Sequence, residues 1–253
     1  MADTAGELDI IFTAPHPDDI EIGCGGAVAK LVKQGHRVGI VHMTTGEPTP
    51  LGNPQTRMKE MRAASEVLGV AVCEMIGLPN RVLMDGPEAR FALASVVRKY
   101  RPRILVSFAG RTVAASPDHY QAQLITEATR FYSQLTKWDE RFNGTEPHRV
   151  DHLLYRPVGR GAETELFSAK LVVDITETIE KKLAAVACYK SQFPPERFER
   201  LKHYLLSRAG TEGASCGFEY GELYAVPRPI GVSDLTTPFG PWPLPSPIEK
   251  IKE

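Results

Sequence analysis

The sequence predicts an α/β fold: a Rossmann-like parallel sheet with helices on both faces, in a single domain that ends in a proline-rich tail. Three observations carry this. Short apolar, β-branched runs alternate with segments of helical period from Leu8 to Leu135. The first of these runs is continuous rather than alternating, as in a strand covered on both faces. No internal repeat and no linker divides the 253 residues, a length that suits one α/β domain with extra loops.

Taken in order, residues 8–13 read as a buried first strand and 27–33 as a helix. Between them lies Ala14-Pro15-His16-Pro17-Asp18-Asp19-Ile20-Glu21-Ile22-Gly23-Cys24-Gly25-Gly26. Residues 37–44 (RVGIVHMT) form the second strand, and the proline- and glycine-rich 45–55 a loop after it. A helix over 56–68 is capped by Thr56 and closed by Gly69. The third strand is 71–76, the next helix 88–100, and the fourth strand 104–108 (ILVSF). A loop over 109–115 precedes a helix over 117–135, with Ser116 as cap and Pro117 at its first position. Further on, 151–155 and 171–174 read as short strands, and 176–190 and 196–208 as helices. Residues 226–247 hold seven prolines, with Phe239 and Trp242, and exclude a helix or an inner strand. The division is therefore 1–225 for the domain and 226–253 for the tail. The tail suits wrapping its own domain or a neighbouring subunit, which leaves a homo-oligomer open.

Bulk properties remove several classes. A net charge of −1 with 42% hydrophobic and 24% charged residues offers no broad nucleic-acid surface. Apolar runs are too short to span a bilayer, and residues 1–9 lack a signal-peptide pattern. Cys24, Cys73, Cys188 and Cys216 form no C-x-x-C pair, so reduced thiols and a cytoplasmic protein are expected.

Right-handed β-α-β units in the usual order 3-2-1-4-5 set strands one and four side by side at the switch point, where ligands bind. His16 and Asp19 follow strand one and give one nitrogen and one oxygen donor, a pair that suits zinc. His119 follows strand four, in Ser116-Pro117-Asp118-His119, and faces the same crevice. Two histidines and one aspartate leave a fourth position open, as hydrolysis requires. Asp18, beside Asp19, is placed as general base. Gly23-x-Gly25-Gly26 does not complete a dinucleotide fingerprint, because Val28 stands where the third glycine belongs.

These motifs resemble the LmbE-like or PIG-L family of zinc-dependent N-deacetylases. The likeness rests on the His16-Pro17-Asp18-Asp19 motif with its glycines, and on Arg57-x-x-Glu60 leading to Leu68-Gly69-Val70. Pro117-Asp118-His119, Val173-Asp174-Ile175-Thr176 and Lys190-Ser191-Gln192 extend it. It implies Zn²⁺ held by His16, Asp19 and His119, and Asp18 as base. It also implies Arg57 on the substrate side of the pocket, where an exposed first-turn arginine is the plainer alternative. One residue departs: the family reads His-Pro-Asp-His, and this chain has Ser116 at the first position. Serine donates a hydrogen bond but does not titrate as imidazole does. Ser116 then lines the substrate pocket, and Asp118 orients a metal-ligating histidine from behind or favours the helix N-terminus.

The expected activity is removal of an N-acetyl group from a small N-acetylglucosaminyl compound. The alternatives are a zinc amidase acting on another amide, such as a thiol conjugate or secondary metabolite, and an idle sugar-binding homologue. The donor set also accepts iron or cobalt.

Overall fold

Strand β1 (Ile10–Ala14) is buried along its whole length and sits inside a seven-stranded sheet of order β3-β2-β1-β4-β5-β7-β6. The structure, a computed structural model, describes residues 6–142, 144–159 and 169–234. β1 pairs in parallel with β2 (Val38–Thr44) on one side and β4 (Ile104–Ala109) on the other. β3 (Val72–Leu78) and β5 (His152–Pro157) extend the parallel part outward. The expected order 3-2-1-4-5 is therefore present, and β1 and β4 are neighbours with Ile10 opposite Ile104.

Two strands complete the sheet. β6 (Ala169–Asp174) matches the expected strand at 171–174, but β7 (Gly221–Val226) does not appear in the sequence reading. β7 runs antiparallel to β6 along its length and meets β5 at Tyr155 and Ala225. Its pattern is obscured by Glu222, which is fully buried. That carboxylate pairs with Lys182 Nζ at 2.6 Å and accepts from the N–H groups of Gly26 (3.0 Å) and Ala27 (2.9 Å). An ion pair satisfied in this way is tolerated in a core, and a polarity pattern hides it.

Alternate residues of the strands feed two cores. Phe12, Ile40 and Val106 face α1 (Asp19–Lys33), α2 (Pro54–Leu68), α5 (Ile179–Val186) and α6 (Pro195–Ala214). Ile11, Val41 and Leu105 face α3 (Pro87–Tyr100) and α4 (Asp118–Tyr132). Helices thus cover both faces. Among the described residues, no helix is long and apolar enough to cross a membrane.

Several boundaries differ from expectation for local reasons. α1 begins at Asp19, eight residues before the expected start, because its glycines serve packing rather than breaking the helix. A Cβ on Gly23 would stand 2.7 Å from the Phe108 ring, and one on Gly26 2.7 Å from Ile175. α2 is capped by Asn53, whose Oδ1 accepts from Thr56 N–H at 2.9 Å, so Thr56 lies inside the helix. α4 ends at Tyr132, and the buried Arg98 guanidinium collects the carbonyls of Ser133, Leu135 and Thr145 just beyond it. The helix expected over 176–190 begins as a 3₁₀ turn (Thr176–Thr178), and its α-helical part is only Ile179–Val186. α6 passes Arg208 to reach Ala214, and Gly213 lets it approach Gly221 of β7. The domain boundary expected after residue 225 falls one residue before β7 ends; Phe239, Trp242 and the rest of 235–253 lie outside the described residues.

Gly26→Ala gives this packing a test of sign. Alanine favours a helix interior by about 1 kcal/mol over glycine. Overpacking a core costs about 1–3 kcal/mol. The variant is expected to unfold at lower urea concentration than the parent; greater stability would show that Ile175 does not confine the helix.

Candidate metal centre

The chain leaves β1 through Pro15-His16-Pro17 and enters α1 at Asp19, so the first turn of a helix opens at the carboxyl end of a central strand. Asp18 makes the turn with φ +100° and ψ −28°, a left-handed backbone that aspartate tolerates better than bulkier residues. On the other side of the crevice, Pro117 already has helical dihedrals, and Ser116 Oγ accepts from Asp118 N–H at 3.3 Å, as expected of a cap. His119 thereby falls in the first turn of α4.

His16, Asp19 and His119 converge as the sequence predicts, with one ligand atom from each within 4.8 Å of the others. Asp19 Oδ2 lies 3.2 Å from His16 Nδ1, and Oδ1 lies 3.0 Å from His119 Nε2. The outer nitrogens are both occupied: His16 Nε2 is 3.2 Å from Asp118 Oδ2, and His119 Nδ1 is 3.1 Å from the Ser116 carbonyl. These partners assign the tautomers and aim Nδ1 of His16 and Nε2 of His119 at the common point. Two neutral imidazoles and a carboxylate so arranged fit a divalent cation. The Phe108 ring stands edge-on to His119, 6.0 Å between centroids, and walls one side.

Electrostatics follow the crowding of charge. Burial disfavours charge on both rings, but Asp19 outweighs it, raising His16 and pushing His119 up to about 9. Burial would raise Asp19 as well, yet the two histidines hold it well below the usual carboxylate range. For Asp18 burial wins: its carboxyl is pushed up to about 7, with Arg57 opposing the shift and Asp19 adding to it.

Arg57 is 3% exposed and reaches the site through Asp18. Its Nη2 donates to Asp18 Oδ2 at 3.0 Å and to the Pro17 carbonyl at 2.6 Å. Asp118 is 1% exposed, and besides His16 it accepts from Arg81 N–H at 2.7 Å. Ser116 lines a cavity of about 860 Å³ together with Arg111, Thr112, His119 and Tyr120.

The sequence reading missed three supporting residues. Arg81 holds Asp118 through its backbone, with φ +66°, and no side-chain pattern announces that. His42 of β2 is fully buried beneath the motif, with Nδ1 3.1 Å from the His16 carbonyl. Glu21 is also fully buried, bonded to Tyr189 Oη at 2.9 Å. Its position inside the motif, two residues after Asp19, was its only signal.

A doubly wound sheet with a His-Asp-His cluster at its switch point is the architecture of a metal-dependent enzyme. The family model described as PIG-L, GlcNAc-PI de-N-acetylase, matches residues 11–129, which include every residue of the cluster. The chain belongs to this PIG-L (LmbE-like) family. The diacetylchitobiose deacetylase of Thermococcus kodakarensis is 27% identical over 227 residues, covering 84% of this chain and 80% of that protein. The crystal structure of a conserved protein from Thermus thermophilus superposes with a TM-score of 0.76 at 32% identity, over 89% of this chain and 97% of the other. A 4-oxalmesaconate hydratase of Pseudomonas putida is 25% identical over 202 residues, 72% of this chain and 73% of that protein. Likeness therefore extends to a protein named for a different reaction, and the reaction has to be argued from the site.

Glu21 supplies a pH test of the buried layer under the motif. Burial pushes its carboxyl up to about 7, against the opposing bond from Tyr189. A raised pKa favours the folded state fully below the unfolded value of about 4.3, and the gain disappears as pH rises through the folded value. Metal-free protein should lose on the order of 3 kcal/mol from this group across that window. Glu21→Gln, neutral throughout, should flatten the decline in urea titrations; an unchanged slope would place the titration elsewhere.

Proposed function

We propose that the chain is a zinc-dependent hydrolase that removes the N-acetyl group from a small N-acetylglucosaminyl compound. The observation that carries this reading is the His16-Asp19-His119 cluster with the Asp18 carboxylate beside it, at the switch point of a PIG-L fold. The deacetylase among its relatives supports the acetylated-sugar class. Four unpaired cysteines suit a reducing, cytoplasmic setting.

His16 Nδ1, His119 Nε2 and Asp19 hold the ion in this reading. Zinc, when bound, polarises an acyl oxygen and lowers the pKa of water toward about 7. The protein's own part is positional and protonic. Asp18 takes the proton of the attacking water, and Arg57 fixes the carboxylate by holding Oδ2. Arg57 is thus a positioning residue rather than a substrate contact. Asp118 holds His16 in the tautomer that ligation requires. The cavity beside Ser116, about 860 Å³, has room for a sugar. Breakdown of the adduct cleaves the C–N bond and yields acetate and a free amine. The amine's proton returns from Asp18, since Ser116 donates a hydrogen bond but supplies no proton.

Acetate release from a panel of N-acetylated sugars, with metal content measured on the same samples, is the direct test. Zinc-loaded protein that releases no acetate from any of them overturns the reading. Alanine at His16, Asp19 or His119 should lower zinc content and abolish turnover. Asp18→Asn should keep zinc while kcat falls by a factor on the order of 10²–10⁴. A variant at position 18 that loses the metal would make Asp18 a ligand instead.

Ser116→His tests the missing acid. Both contacts of Asp118 use Oδ2, so Oδ1 is the atom that would orient a new imidazole. Losing the serine cap costs about 1 kcal/mol. A placed general acid gives up to ~10² in rate. Faster turnover with a new titration near neutral pH is expected, together with slightly lower thermal stability. An unchanged rate in folded, zinc-loaded protein would mean the pocket is built around serine.

A further inference from the structure

The wall of the cavity beside the metal centre runs from His119 and Ser116 past Tyr120 and Gln121 to Thr112 and Arg111. No aspartate or glutamate belongs to that wall, and Arg111 brings it a fixed positive charge. An exposed arginine on a loop is ordinarily just solvated. Three observations separate Arg111 from that case.

The first is how it is held. Gly110 follows the last residue of β4 and turns the chain with φ +102°, a backbone that glycine adopts without strain. Its N–H donates to Oε1 of the buried Gln123 of α4 at 2.8 Å. Arg111 therefore springs from the fixed root of the loop, one residue past that bond, and not from its tip. The second is pairing. At this end of the sheet Arg57 is bound to Asp18, Arg81 to the Pro48 carbonyl, Arg90 to Asp85 and Arg156 to Glu212. Arg111 has no hydrogen-bond or ion-pair partner among the described residues. The third is room. The volume of about 860 Å³ lies in the upper part of the range for small-molecule sites, about 300–1,000 Å³, and extends beyond a sugar ring seated at His119.

A guanidinium is a planar fork that matches a carboxylate or a phosphate with two parallel hydrogen bonds. With no acid in the wall, the anion for this fork has to arrive with the ligand. We propose that Arg111 selects the substrate, by binding an anionic substituent, carboxylate or phosphate, on the anomeric oxygen of an N-acetylglucosaminide. The assignment rests on the hydrolase reading above. The acetamido group then lies at the His119 end of the cavity, and the neighbouring anomeric oxygen directs its substituent toward the root of the loop.

The test compares the carboxymethyl glycoside of N-acetylglucosamine with its neutral carbamoylmethyl isostere, and adds the 1-phosphate as a second anion. On zinc-loaded protein, kcat/KM for at least one anion should exceed that for the amide by about tenfold or more. Added salt should shrink the preference, since the guanidinium is exposed. Arg111→Gln should bring the ratio near one, and Arg111→Glu should invert it. Arg111→Lys should keep only part of it, because an ammonium lacks the fork. A ratio is insensitive to any general loss of activity in the variants. Preference for the carboxylate alone or the phosphate alone identifies the anion. Calorimetric Kd values for the same compounds read the preference even where no acetate is released. Anion-selective binding without turnover would overturn the hydrolase reading and leave the role of Arg111 standing. Equal kcat/KM and Kd for charged and neutral compounds overturns that role. So does a preference that survives Arg111→Gln, because the metal would then be its source.

Discussion

The parallel pairing of β1 with β4 is the constraint on which the rest of the molecule depends. It places the ends of two strands side by side although about a hundred residues separate them in the chain, and a helix follows each end, after a short turn at β1 and an eight-residue loop at β4. Donors from two distant motifs meet only because both strands stop at the same level. Thr13 ties that level down from below, with Oγ1 3.1 Å from the Val106 carbonyl and 3.0 Å from Thr126 Oγ1 on α4. The β1–β4 ladder and the seating of α4 are therefore one unit, and the geometry of the cluster inherits its rigidity.

Charge is managed differently at the start and in the middle of α1. At its start, one arginine and two histidines stand around Asp18 and Asp19, and the excess of donor atoms over counter-charges suits an added cation. In its middle, Glu222 and Lys182 neutralise each other, with two helix N–H groups completing the carboxylate. Burial of this second pair adds little net stability relative to apolar packing, but removing one partner alone would strand a charge in the core. The same helix thus carries a donor set that suits a cation and a structural ion pair already satisfied within the protein.

How much of this was legible from sequence depended on what kind of signal each feature leaves. The central strands and the loop after each of them were readable because burial on both faces produces unbroken apolar runs, and the His16-Asp19-His119 convergence followed from their order. β7 was not, since a buried glutamate whose partners lie on α1 and α5 looks like a surface residue. The start of α1 was missed for a related reason: glycine is read as a breaker, whereas Gly23 and Gly26 make room for Phe108 and Ile175. Arg57 could be placed near the pocket by family likeness, but only coordinates show its guanidinium behind Asp18, bound to the Pro17 carbonyl. Contacts of a backbone N–H, such as that of Arg81 with Asp118, leave no trace in residue type.

The left-handed turn at position 18 narrows what that position can be. Its backbone admits glycine, asparagine and aspartate readily and most other residues only with strain. Proton transfer admits only a side chain that titrates. In the proposed mechanism aspartate satisfies both conditions, whereas glutamate, the usual exchange for an acid, fails on conformation rather than on charge. Glycine and asparagine, which that backbone accepts, would give up the proposed base. Drift to either residue would then be a loss in one step, leaving the fold in place and removing the proposed proton acceptor.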